Sequence, residues 1–370
     1  MPAPDSSPST TPGSPTGSAR PRILTGDTPT GRMHLGHFVG SLENRLRLQD
    51  QYECYFLIAN MHAFTTRAEK PGEIRESTFE ILRDWLAVGM DPQRSTFVLQ
   101  TEVPAIAELS WFFSMLIPFN RVLRNPTLKT EIESKNLGDQ YPFGFPLYAV
   151  GQCADILAFR PELVPVGEDQ VAHIEMCREV ARRFNQVYAG VDPHTEDDDY
   201  PAAGAIWPIP KALVGRVGRL VGTDGKQKMS KSLGNAIFLS DSPKEVKKKV
   251  GQIFTGRQSL TEPGDTSNAL FQYVRCFIRD QARVAELEDR YSRGDNIGDG
   301  HIKAEVADAI NAMLEPIRAR RAEYETPDGE ARLTEIIRDG TRRANEIAEE
   351  TLYLAKQKMG LGFGKRRLGF

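Results

Sequence analysis

Several things are scarce in this 370-residue sequence, and each scarcity excludes something. Charge of one sign is scarce: 47 Lys and Arg stand against 50 Asp and Glu, a net charge of -3, so any nucleic-acid partner must be met by a local patch. Cysteine is scarce too. Residues 54, 153, 177 and 276 show no C-x-x-C spacing and no metal-ligand cluster, and Cys54 and Cys153 sit in apolar runs, so they read as reduced core residues. Apolar residues are scarce among the first twenty, MPAPDSSPSTTPGSPTGSAR, which lack a signal-peptide core and are followed by no transmembrane run. That stretch reads as a disordered tail, with a cytoplasmic location as the default and no membrane partner. The length exceeds what one core usually fills, so two domains are expected.

From residue 22 to about 240, short apolar runs alternate with amphipathic segments. RILT (22–25), CYFLIA (54–59), TFVLQ (96–100) and LVPV (163–166) read as buried strands. Between strands lie helical patterns such as 169–184, with Val171, Ile174, Cys177, Ala181 and Phe184 on one stripe. Such alternation predicts an α/β fold with a doubly wound parallel sheet. After about residue 243 the strand signals stop. Ile302, Val306, Ile310, Met313, Leu314 and Ile317 recur at helical spacing, as do Ile336, Ile337, Ala344, Ile347 and Thr351, predicting an all-helical second region. The last fifteen residues hold Lys356, Lys358, Lys365, Arg366 and Arg367 without an acid, either a basic end for phosphates or a solvated tail.

The apolar stretch YAVGQCADILAF (148–159) carries Tyr148, Gln152 and Asp155 at i, i+4 and i+7, on one face of a helix. Buried there without a partner, the amide alone would cost about 1–3 kcal/mol, so this face needs something to bond.

Two glycine-and-cation motifs stand out. TGDTPTGRMHLGHFVGSL (25–42) follows the first strand. Gly26, Pro29 and Gly31 make a turn, Gly36 sits where a helix begins, and backbone there can approach a phosphate or base. His34 and His37, three apart, lie near one ligand; alone they could be a metal pair or caps. GKQKMSKSLGN (225–235) gathers Lys226, Lys228 and Lys231 with Ser230 and Ser232, which suits a loop that closes on polyphosphate as charge grows in a transition state. A lysine-rich surface loop is the plainer reading.

PTGRMHLGH and KMSKS, in this order and about 190 residues apart, resemble the two hallmark motifs of class I aminoacyl-tRNA synthetases. Within that class, NMHAFT (60–65), ADIL (154–157) and LVPVGEDQVAHIEMCREVARRFN (163–185) are similar to the tryptophanyl subgroup. Gln152 and His37 depart from the bacterial tryptophanyl pattern, as do Asp27-Thr28 and the segment VGRLVGTDGKQ, while Tyr148-x-x-x-Gln152-x-x-Asp155 resembles the tyrosyl arrangement.

The resemblance implies a Rossmann-like catalytic domain over 21–188 and 205–240 and a helical, anticodon-binding domain over 241–370. It implies ATP, carried with Mg2+, as co-substrate, L-tryptophan and its tRNA as partners, and a homodimer. His34, His37, Lys228, Ser230 and Lys231 are the implied catalytic set. Thr28, Pro29, Thr30, Gly36, His37, Gly167, Glu168, Asp169, Lys228, Met229, Ser230, Lys231 and Ser232 would hold ATP. Asp155, Gln152, Tyr148 and His62 would hold the amino acid, Asp155 accepting from the indole N–H, a donor only. Tyrosine as substrate, or a regulatory partner that kept the fold, are the competing readings.

Overall fold

The computed structural model describes residues 20–134, 136–138, 140–214, 220–257 and 259–364, and at Asp169 the backbone alone. The expected tail, apart from Arg20, and the basic residues Lys365, Arg366 and Arg367 lie outside the described residues.

Among the described residues five strands form one parallel sheet in the order β3-β2-β1-β4-β5: β1 Arg22–Asp27, β2 Glu53–Ile58, β3 Ser95–Leu99, β4 Leu163–Val166 and β5 Lys211–Val214. Four coincide within two residues with the apolar runs. The fifth, KALV, was not expected: as the edge strand it is only partly covered, so its sequence carries no buried run.

Parallel neighbours require crossovers, and helices supply them. After β1 come α1 Leu35–His37 and α2 Glu43–Leu48, joined by a π-helical turn over Phe38–Leu42. After β2 come α3 Asn60–Arg67 and α4 Pro71–Val88. After β3 come α5 Pro104–Ser114, α6 Phe119–Leu123, α7 Pro126–Ser134 and α8 Gly144–Leu157. The helix α9 Val171–Tyr188 follows β4, one short 3-10 turn later than the periodicity suggested, and Ile174, Cys177, Ala181 and Phe184 are buried on it.

Strand order reverses between β1 and β4, and these two pair only at Ile23 and Leu163. Beyond that pair the Thr25 hydroxyl, donating to the Pro165 carbonyl at 2.6 Å, ties their carboxyl ends. A crevice opens at such a reversal, on the carboxyl side of the sheet.

After β5 the chain is helical: α10 Pro243–Gly251, α11 Ala269–Phe277, α12 Gln281–Arg293, α13 Asp299–Glu323 and α14 Pro327–Lys358. Side-chain caps start four of them: Ser242, which forms a capping box with Glu245, Asn268, Asp280 and Thr326. On α13 the stripe Ile302, Val306, Ile310, Leu314 and Ile317 is buried, with Met313 at its margin.

These helices continue the two cores that flank the sheet. Residues of α10, α11 and α13 pack with α4 on one face, and Ala344, Ala348, Leu352 and Ala355 of α14 pack with α5, α8 and α9 on the other. Helix α14 covers the edge strand β3. A Cβ on Gly340 would stand 2.1 Å from the Phe97 carbonyl oxygen, so only glycine permits the approach. The Thr341 hydroxyl takes the free Leu99 N–H at 3.0 Å, and Asn345 donates to the Glu102 carbonyl at 2.8 Å. An edge that could pair with another chain is thereby satisfied internally. Lys356, expected at a free basic end, pairs with Glu108 at 2.7 Å instead.

Asp84 of α4 is fully buried and joins two distant parts. It takes the Met33 N–H at 2.7 Å and ion-pairs with Arg321 of α13, which also meets Glu80 at 2.6 Å. All four cysteines are free thiols. Among the described residues no helix is long and apolar enough to cross a membrane.

Candidate active site

A cleft of about 820 Å³ lies at the carboxyl ends of β1 and β4. Its inner end is the polar face of α8. Asp155, 1% exposed, is reached by the Gln100 amide, whose Nε2 donates to Oδ1 at 2.7 Å. Its other oxygen, Oδ2, stands 3.3 Å from Nε2 of His62, without a hydrogen bond between them. Burial pushes the Asp155 carboxyl up to about 7, against the lowering effect of the Gln100 N–H. Burial also holds His62 down to about 4, with Glu131 opposing. Around neutrality this pair carries one negative charge or none.

One turn earlier on α8, Gln152 donates to Gln170 at 3.4 Å, and two turns earlier the Tyr148 hydroxyl lies 3.3 Å from Nε2 of His173. Asn125 fixes that histidine. Its Oδ1 accepts from the Thr127 N–H, so its Nδ2 is the atom that faces His173 Nδ1, at 3.2 Å. The imidazole is therefore an acceptor at Nδ1 and keeps its proton at Nε2, facing Tyr148. Burial, joined by the Glu131 carboxylate, raises the Tyr148 hydroxyl well above its usual range.

The mouth of the cleft is the first glycine motif docked on the lysine loop. The His34 N–H donates to His37 Nδ1 at 3.1 Å, and the two rings lie with centroids 3.7 Å apart, tilted by 30°. Burial lowers His34 to about 2, helped by His37, Lys231 and Lys228, and lowers His37 to about 3, helped by Lys231, Arg45 and Lys228. Both are neutral at pH 7 and act through hydrogen bonds rather than charge. His34 Nδ1 is buried without a partner, the mark of a group that waits for a ligand or water. Gly36 leaves that ring open, since a Cβ there would lie 3.0 Å from His34 Nδ1.

The Gly36 N–H points at the Met229 sulfur, 3.4 Å away. Lys231 reaches across to Thr30 Oγ1 at 3.0 Å and the Gly31 carbonyl at 2.9 Å. Burial lowers its ammonium to about 8, with Asp84 and Asp27 acting the other way. The loop is held by Asn235, which takes the Ser230 N–H at 2.8 Å and donates to Asp224 at 2.8 Å.

Of the expected site residues, the cleft walls bring together His34, His37, Thr28, Thr30, Gly36, Gly167, Lys228, Met229, Ser230, Lys231, Ser232, Asp155, Gln152, Tyr148 and His62. Pro29 and Glu168 do not line it: Pro29 shapes the turn between two residues that do, and Glu168 opens the 3-10 turn before α9. For Asp169 the side chain is outside the description.

Lining residues that the sequence reading did not assign include Gln170, Arg67, Asp27 and Arg45, and Gln100 stands behind the wall against Asp155. Asp27 accepts from Arg45 at 2.7 Å and from the Trp85 indole at 3.2 Å, so it braces the floor. Gln100 ends the run TFVLQ, and the carboxyl end of a parallel strand is the one signal that could have marked it. Arg67 closes α3 with no sequence cue.

A doubly wound sheet whose crevice joins a cationic, glycine-lined mouth to a closed polar pocket defines a nucleotide-dependent enzyme with a second, small substrate. The sequence model described as tRNA synthetases class I (W and Y) matches residues 17–315, and the chain belongs to that family. The tryptophan–tRNA ligase of Treponema pallidum (strain Nichols) is 43% identical over 349 residues, 92% of this chain and 97% of that protein. That of Clostridium longisporum is 41% identical over 352 residues, 93% and 98% of the two chains. The crystal structure of tryptophanyl-tRNA synthetase from Campylobacter jejuni complexed with ADP and tryptophan matches with a TM-score of 0.75 at 32% identity, covering 92% of this chain and all of that one (100%).

Proposed function

We propose that the chain activates L-tryptophan with ATP and charges tRNA(Trp). The observation that carries the reading is Asp155, a buried acceptor at the closed end of a cleft whose open end is lined by Lys228 and Lys231. Indole offers one ring N–H and no acceptor, and a carboxylate at the pocket floor is its complement.

In this reading the tryptophan carboxylate attacks the α-phosphorus of ATP in line. The bond from that phosphorus to the bridging oxygen breaks, pyrophosphate leaves, and tryptophanyl-adenylate remains. A ribose hydroxyl of the tRNA's terminal adenosine then attacks the acyl carbon, its proton is lost and AMP leaves. No covalent enzyme intermediate is required, so the protein contributes position and charge.

Lys228 and Lys231 follow the pyrophosphate, with Ser230 and Ser232 donating beside them. Thr28, Thr30, His34, Gly36 and His37 take the nucleotide, and Gly167 lies at the ribose. Mg2+ would be carried in on the polyphosphate, whose oxygens supply the hard ligands it prefers. Tyr148, Gln152 and His62 surround the amino acid.

Residues 241–370 are assigned to tRNA contact, and the chain to the cytoplasm. A homodimer would use the apolar face at Trp111, Met115 and Phe119, each more than half exposed. Sedimentation of the unaltered chain as a monomer would remove that assignment.

The deciding experiment is exchange of labelled pyrophosphate into ATP. Tryptophan supports exchange; robust exchange with tyrosine and none with tryptophan would overturn the reading.

A further inference from the structure

The pocket floor contains an amide that cannot turn over. Gln100 is 1% exposed, and its Oε1 accepts from the N–H groups of Met61 at 2.9 Å and His62 at 3.3 Å. Those are first-turn donors of α3 with no partner inside their own helix. Rotating the amide by half a turn would set its NH2 against two N–H donors and leave them unpaired. Nε2 therefore must face Asp155, where it can only donate, and Oδ1 of Asp155 can only accept. Any proton on Asp155 is confined to Oδ2, the oxygen that faces His62.

We propose that Gln100 is a positioning residue for substrate choice: its locked N–H donates to Oδ1 and favours the ionised carboxylate, which leaves Oδ2 as the acceptor for a ligand that offers a ring N–H. The inference rests on the tryptophan reading above and adds the group that enforces it. Helix α3 begins directly after β2, and Gln100 directly after β3. The polarity of the floor is therefore set by the neighbouring strand ends rather than by α8, which carries Asp155. The titratable groups around Asp155 are His62 of α3 and the Cys177 thiol of α9, with Glu131 of α7 facing His62 and Tyr148. Burial keeps His62 and Cys177 uncharged near neutrality, so none of these supplies a competing cation.

A polarity swap tests this in pyrophosphate exchange. In the Asp155→Asn chain, locked Gln100 draws the Asn oxygen toward itself and turns the Asn NH2 into the pocket, so the KM for tryptophan rises about 100-fold. In the double variant Gln100→Glu with Asp155→Asn, the glutamate accepts from the Asn NH2, the Asn oxygen turns to the pocket, and about tenfold of that loss is recovered while net charge is unchanged. The single variant Gln100→Glu sets two carboxyls together, and the pH midpoint of the tryptophan KM rises by about one unit with the KM for ATP unaltered. A merely structural Gln100 predicts a double variant worse than either single one.

No recovery in a double variant that melts cooperatively, or an unshifted pH midpoint in Gln100→Glu, overturns the proposal. Absence of tryptophan-dependent exchange in the unaltered chain overturns the tryptophan reading instead, and this inference with it. Should Gln100→Glu fail to fold, Gln100→Met is read in the same assay. A raised tryptophan KM with unchanged ATP KM supports the positioning role, and an unchanged KM refutes it.

Discussion

The two ends of the cleft are built in different ways. At the inner end, Asp155, Gln100, His62 and Tyr148 stand on helices and strand ends and face one another at 2.7 to 5.8 Å, the first two buried and the other two half-buried. At the mouth, the lysines come from a loop about 200 residues away in sequence from the turn they meet, and Lys231 rests on one hydroxyl and one carbonyl. The inner end can discriminate because its polarity is settled before a ligand arrives. The mouth suits a different task, because cations set where charge grows stabilise a transition state more than a ground state.

Replacing Lys231 by Ala is expected to break the mouth alone. The adenylation rate should fall by about 100- to 1000-fold, as for loss of one preorganised donor to developing charge. Tryptophan affinity, read by calorimetry, should be unchanged; a parallel loss of affinity would show that the two ends are not separable.

The next effect is on the brace beneath the mouth. Arg321→Met leaves Asp84 buried without its cation, and should cost about 3 kcal/mol in denaturant unfolding. Because Asp84 also holds the Met33 N–H, the KM for ATP should rise while that for tryptophan holds.

Acidity should then pull the two ends apart. Lys231, held near 8, is a cation only below that value, so ATP binding should weaken as pH rises past about 8. Asp155, held near 7, is an anion only above that value, so tryptophan binding should weaken as pH falls below about 7. Opposite slopes in the two KM profiles would bear this out, and parallel slopes would refute it. The smallest effect is expected at Gln152→Met, where only the 3.4 Å bond to Gln170 is lost, about 1 kcal/mol or a few-fold in tryptophan KM.

Much of the mouth was legible in the residue order. Glycines and lysines cluster within PTGRMHLGH and KMSKS because backbone approach and cation density are local properties. Pro29 and Glu168 show the limit, since membership of a motif does not decide which residues line the cleft. The inner end was half legible: helical spacing alone put Tyr148, Gln152 and Asp155 on one face. Their partners were not, because Gln100 lies 55 residues from Asp155 and His173 lies 25 from Tyr148.

Local periodicity and turn chemistry by themselves determined four of the strands, the long carboxyl-terminal helices and the two motifs, because a side chain's face depends only on its neighbours along the chain. Tertiary structure alone decided the edge strand β5, none of whose four residues is fully buried. It also decided the cover of β3 by α14, where Gly340 and Thr341 meet a strand some 240 residues earlier, and the direction of the Gln100 amide. A buried polar group must find a partner, but spacing along the chain does not say which one.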